Sequence, residues 1–145
     1  MGQKIRESIR LFQEYFSDFS VEIAQEIIDS LKLNPELKTS ELSKGMKEQL
    51  NLGLMLARRN HVYLFDEPLA AVDPLTRDYL LTLIKKFRPD DSVVVISTHL
   101  IQGLEQLFDH CLIMYGGRII LSSPTEELVE KGGLEPVVKD ILAHV

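Results

Sequence analysis

Apolar residues recur at Ile5, Ile9, Phe12 and Phe16, the spacing of one helical face, and predict an amphipathic helix over 3–16. Ser20 stands as an N-cap before a second helix, whose inner face is Ala24, Ile27, Ile28 and Leu31. The polar connector KLNPELKTS (32–40) stops that pattern at Asn34-Pro35. A third helix is predicted from about Lys44 to Arg59. Met46, Leu50, Leu54 and Ala57 line it, and Leu52, Met55 and Leu56 widen the stripe to a belt, which implies burial on most sides. Residues 1–60 thus read as purely helical.

The pattern then changes period. VYLFD (62–66) is a short apolar run ending in an acid, the form of a buried parallel strand. Pro74 opens a helix with Leu80, Leu83, Ile84 and Phe87 on its face. SVVVIST (92–98) is β-branched and predicts a second strand. Leu100, Leu104 and Leu107 mark a short helix, and CLIMYGGRIILS (111–122) predicts a hairpin turning at Gly116-Gly117. Ser123-Pro124-Thr125-Glu126 has the form of a capping box with proline at N1, opening a helix that Gly132 stops. Leu134, Val138, Ile141, Leu142 and Val145 form the last amphipathic face. Strands alternating with helices predict an α/β fold with a parallel sheet. Three or four strands are few for a sheet covered on both faces.

Composition narrows the class. A chain of 145 residues with 45% hydrophobic content can close a single-domain core. The net charge of −6, with no basic patch, argues against nucleic acid as a partner. Cys111 is the one cysteine, so no disulfide staples the chain, which points to a reducing compartment. No run approaches the ~20 apolar residues of a membrane span, and the N-terminus lacks the apolar core of a signal peptide. Arg6 stands where a myristoylation motif needs Ser or Thr. A cytosolic protein able to dock on a membrane protein is expected.

Four short stretches carry candidate chemistry. The first predicted strand delivers Asp66 and Glu67 at its C-terminal end, the edge at which open α/β sheets bind ligands. Magnesium on Asp66 would neutralise one of the two acids, leaving Glu67 to orient and deprotonate a water. Alternatively, the pair is a solvated cap before Pro68. Asp73-Pro74 reads as an N-cap and N1 pair. ISTH (96–99) ends the second strand on the same edge, so His99 either faces the same ligand, at a terminal phosphate, or is structural. LSKGM (42–46) precedes the third helix. Its free N–H groups and dipole favour an anion; Gly45 permits close approach, Ser43 adds a hydroxyl and Lys44 a charge. Ser43 also suits a plain N-cap.

In order and spacing, these four stretches resemble the signature loop, Walker B strand, D-loop and histidine switch of ATP-binding cassette ATPases. The family signature usually reads Leu-Ser-Gly-Gly-Gln; here Lys44 takes its third position and Met46 its fifth, a variant found in bacterial exporters. The D-loop reads AAVD where the usual form is Ser-Gly-Leu-Asp. The resemblance implies that Asp66 holds Mg2+, directly or through water, that Glu67 is the catalytic base, that His99 is the switch histidine and that Asp73 belongs to the D-loop. It also implies that Ser43, Lys44 and Gly45 meet an ATP held by a second ATP-binding subunit. The implied fold is a partial P-loop NTPase (RecA-like) parallel sheet preceded by an α-helical subdomain. Residues 3–60 would be the helical subdomain, 61–131 the C-terminal half of the ATPase core, and 132–145 a C-terminal helix.

The sequence contains no Gly-x-x-x-x-Gly-Lys-Ser/Thr loop. The family's upstream strands, adenine-stacking aromatic and Q-loop glutamine are also lacking, and Gln3 lies too close to the first helix to serve. The resemblance therefore implies the C-terminal part of a longer cassette: an expressed fragment, a truncated reading frame or one half of a split protein. It would belong to an ATP-binding, ATP-hydrolysing subunit of a transporter, a bacterial exporter. ATP and Mg2+ would be cofactors of the complete cassette only. A transmembrane permease and a second ATP-binding subunit would be its partners, at the inner face of the cell membrane. Alone, the chain is expected neither to bind ATP tightly nor to hydrolyse it. Its unpaired strand edges predict dimerisation or strand exchange. Two alternatives stand beside this reading. One is a non-transport cassette ATPase of chromosome maintenance or repair, against which the lack of a long heptad run in 3–41 argues. The other is a non-catalytic interaction or regulatory fragment.

Overall fold

A computed structural model describes residues 2–70, 72–100 and 108–143. The chain forms two compact units, Met1–Thr98 and His99–Val145. The first contains helices α1 (Ile5–Tyr15), α2 (Val21–Ser30) and α3 (Lys44–Leu56), then strand β1 (Val62–Asp66), helix α4 (Pro74–Phe87) and strand β2 (Val93–Ser97). The second contains strands β3 (His110–Tyr115) and β4 (Arg118–Pro124) and helices α5 (Thr125–Glu130) and α6 (Leu134–Ala143). The helix predicted through Leu104 and Leu107 lies outside the described residues.

The helical block forms where the apolar stripes require it. Ile5 and Ile9 of α1 are buried with Ala24 and Ile28 of α2 and Leu50 and Leu54 of α3. The connector is less passive than its polarity suggests. Leu33 enters the same core, as does Leu42 just beyond the connector. Its carbonyls at Leu37 and Pro35 accept from the amides of Ile5 and Arg6 at 3.0 and 3.1 Å, which satisfies two donors that a helix start leaves open. Glu36 then pairs with Lys4 at 2.8 Å and Arg6 at 2.6 Å. Ser20 caps α2, its Oγ accepting from the Ile23 amide at 3.3 Å.

Helix α3 ends at Leu56, three residues earlier than predicted. Arg58 turns to Asp18 and stacks 3.9 Å over the Phe16 ring, while the Arg59 amide donates to the Asp18 carbonyl at 2.8 Å. Leu52 and Leu56 are buried as predicted, whereas Met55 is exposed. Helix α4 sits against the block: Tyr79 donates to the Ser30 carbonyl at 2.5 Å, and Lys86 pairs with Glu26 at 2.9 Å.

Strands β1 and β2 are parallel, with Val62 opposite Val93 and Asp66 opposite Ser97. The expectation of a buried strand at 62–66 is half corrected. Tyr63 is 3% exposed, but Leu64 is 74% exposed, and its neighbours Val62, Val93 and Val95 are exposed with it. Alternate residues of a strand point to opposite faces, and here one face is covered and the other is open.

In the second unit β3 and β4 form the predicted hairpin. Gly116 and Gly117 both have positive φ, 54° and 74°, as a two-residue hairpin turn of the favoured twist requires. The predicted capping box at 123–126 is not formed. β4 runs on to Pro124, so Ser123 still pairs opposite Cys111 and cannot cap α5. Its hydroxyl lies 3.1 Å from both the Pro124 carbonyl and Glu127 Oε2. Among the described residues no helix is long and apolar enough to cross a membrane.

Candidate functional site

The last residue pair of the parallel ladder brings together Asp66 and Ser97. The Ser97 hydroxyl donates to Asp66 Oδ1. The chain leaves β1 through Glu67 at φ +46°, a left-handed conformation that a non-glycine residue adopts at a cost of roughly 1–3 kcal/mol. Two contacts hold it there: its amide donates to the Ser97 carbonyl at 3.0 Å and approaches Ser97 Oγ at 3.2 Å. Strained backbone of this kind clusters at sites that bind or react. Asp66 and Glu67 open onto a cleft of about 230 Å³, walled on one side by Glu48, Asn51 and Met55 of α3.

Among the described residues no three His, Cys, Asp or Glu side chains are grouped to hold a metal ion. One strand-end carboxylate beside a hydroxyl instead suits magnesium, which keeps several waters and takes one or two carboxylates plus phosphate oxygens.

The start of α3 is set by Ser43, whose Oγ accepts from the Met46 amide at 3.2 Å. Lys44 and Gly45 are its first two helical residues, and no acid stands in that first turn to satisfy the positive helix end. Ser43 and Lys44 are exposed. The N-cap reading of Ser43 therefore holds, and it leaves the anion-attracting end facing outward.

Asp73 caps α4, accepting from the Thr76 amide at 3.1 Å and the Thr76 hydroxyl at 2.6 Å. The hydroxyl above all, and the amide after it, hold its carboxyl below the usual value. Pro74 takes the first helical position, as predicted. Ala71 of the AAVD stretch lies outside the described residues. His99 follows Ser97 by two residues and opens the second unit. Of the residues singled out in the sequence, Asp66 and Glu67 are held together, and the group that holds them is Ser97. Ser97 stood in the ISTH stretch, but sequence reasoning gave the chemistry to His99. The signal that finds Ser97 is strand register.

No family model matches the chain. Among curated proteins it is 26% identical over 132 residues to Nod factor export ATP-binding protein I of Neorhizobium galegae, covering 87% of this chain and 38% of that one. It is 28% identical over 152 residues to glutathione import ATP-binding protein GsiA of Escherichia coli K12, covering 100% of this chain and 24% of the relative. The chain thus spans well under half the length of the curated relatives it matches. A solved ATP-binding subunit of an ABC transporter superposes with a TM-score of 0.79 at 19% identity, over 97% of this chain and 62% of that one. MJ1267, an ATP-binding cassette of an ABC transporter, gives 0.67 at 24% identity, over 84% and 49%. The parallel sheet and its helices have the P-loop NTPase fold of these ATPase domains. In sequence the chain is similar to ATP-binding proteins of export and import systems, and in fold to ATP-binding subunits of ABC transporters.

Proposed function

We propose that this chain carries the signature loop and the catalytic strand ends of an ATP-hydrolysing subunit of a bacterial exporter. The observation that carries the reading is the parallel β1–β2 pair, whose shared C-terminal edge holds Asp66 and strained Glu67 in one hydrogen-bonded group. In open α/β sheets that edge is where nucleotides bind.

On this reading Asp66 holds Mg2+, directly or through water, and bound Mg2+ supplies charge that offsets the phosphate oxygens. Glu67 orients a water and takes its proton. His99 donates a hydrogen bond to the terminal phosphate. Ser43, Lys44 and Gly45 offer the open end of α3 to a phosphate held by a second ATP-binding subunit. The D-loop acid Asp73 is engaged as a helix cap, so its part is to fix the start of α4 beside the nucleotide edge. A phosphate-binding loop, which these 145 residues do not contain, comes from sequence outside them. The helical block 3–60 docks on a transmembrane permease, placing the assembly at the cytoplasmic face of the membrane.

ATP turnover tests this. The chain alone is expected to show neither tight ATP binding nor hydrolysis. Joined to a cassette half bearing a phosphate loop, it is expected to hydrolyse ATP with Mg2+, and Glu67→Gln is expected to abolish turnover. Micromolar ATP binding by the isolated chain, lost in Asp66→Ala, would overturn the reading, as would turnover indifferent to Glu67.

A further inference from the structure

We infer that Ser97 is a positioning residue for the Asp66–Glu67 pair. The inference rests on the function proposed above for those two acids, and it assigns a role to a residue outside the set proposed to act on ATP.

A serine hydroxyl has one donor and two acceptor positions. Ser97 uses its donor on Asp66 Oδ1 and presents an acceptor 3.2 Å from the Glu67 amide. Its backbone carbonyl accepts from the same amide at 3.0 Å. One residue therefore fixes the carboxylate of the first acid and the backbone of the second. Donation to Oδ1 selects one rotation of the Asp66 carboxylate. The paired acceptors hold Glu67 at φ +46°, the conformation from which its side chain departs. The register makes Ser97 the one residue directly opposite Asp66. Alanine at 97 keeps the carbonyl contact and removes both hydroxyl contacts. Threonine keeps all three and suits a strand.

The experiment has two arms. In the first, the intact 145-residue chain is studied by NMR as Ser97→Ala and Ser97→Thr. Ser97→Ala is expected to move the Asp66 side-chain carboxyl carbon and the Glu67 amide resonances, and to raise Glu67 amide exchange, while Tyr63 and Leu80 amides stay in place. Ser97→Thr is expected to restore both signals. In the second arm the variants are joined to a cassette half bearing a phosphate loop. Ser97→Ala is expected to lower kcat by ~10–100-fold, the usual effect of losing a group that orients a metal-binding or catalytic side chain, with KM for ATP little changed. Unmoved Asp66 and Glu67 signals in Ser97→Ala overturn the inference whatever the turnover. Moved signals with unchanged kcat overturn it too. Moved signals, restored by threonine, in an assembly whose unsubstituted form never hydrolyses ATP leave Ser97 as the group that positions both acids and sink the proposed function instead.

Discussion

Arg58 binds Asp18 at two points across 40 residues of sequence, Nε to Oδ1 at 3.1 Å and Nη2 to Oδ2 at 3.0 Å. The fork matches the carboxylate, and the guanidinium also covers the Phe16 ring. The pair joins the end of α3 to the turn between α1 and α2, so it closes the helical block. Both side chains keep about a quarter of their exposure. Asp18→Asn is therefore expected to cost about 1–2 kcal/mol at pH 7, above an exposed pair and below a fully buried one.

That cost should depend on pH with a defined sign. The Arg58 hydrogen bond holds the Asp18 carboxyl below its ordinary value. A carboxyl lowered by folding stabilises the chain above its unfolded pKa of ~3.9, and the contribution fades as pH falls through the folded value. Denaturant titrations should show the gap between the unsubstituted chain and Asp18→Asn widest near neutrality and narrower at pH 3. An equal gap at both pH values would assign the loss to packing rather than charge.

Gly53 sets the spacing of α2 and α3. A Cβ added there would stand 2.8 Å from Ile27 Cγ2, and Ile27 is fully buried. Alanine gains about 1 kcal/mol in helix propensity, but overpacking a filled core costs about 1–3 kcal/mol. Gly53→Ala is thus expected to lower the unfolding midpoint slightly. Adding Ile27→Ala should make the two changes less costly together than their sum, because the clash goes with the methyl. A raised midpoint in Gly53→Ala alone would show that the helices have slack.

Much of this architecture is legible in sequence because its signals are local. The helix faces at Ile5–Ile9 and Ala24–Ile28, the Ser20, Ser43 and Asp73 caps and the Gly116-Gly117 turn each depend on a few neighbouring residues. The misses depend on distant ones. The strand at 62–66 reads as buried from composition, yet its open face depends on what lies over it. Ser123 looks like a cap until its pairing with Cys111 is known. Ser97 gains its meaning only from lying opposite Asp66, 31 residues away. The end of α3 is fixed by Asp18, which no periodicity points to.

The open face of the β1–β2 pair predicts how the chain behaves in solution. Val62, Leu64, Val93 and Val95 share that face in adjacent register, all largely exposed. Strand edges beside such a patch favour pairing with another chain. Light scattering of the purified chain should show concentration-dependent association. Leu64→Lys should reduce it, since a charge at the centre of the patch opposes burial, with little change in unfolding midpoint because Leu64 is 74% exposed. A monomer at all concentrations would contradict this.

Glu67 should show stability and function pulling apart. Its left-handed backbone is strained for any residue with a Cβ and easy for glycine. Glu67→Gly therefore removes the strain, although glycine also gives the unfolded chain more freedom. The net expectation is a gain of up to about 1 kcal/mol, read as a higher denaturation midpoint of the isolated chain. The same change deletes the carboxylate, so on the proposed function turnover of the chain joined to a phosphate-loop half should fall as far as in Glu67→Gln. Glutamine serves as the control: it keeps the Cβ and the strain, so it should lose turnover without gaining stability. If both variants were equally stable, the φ of +46° would carry no cost, and the conformation would be set by Ser97 without strain to relieve.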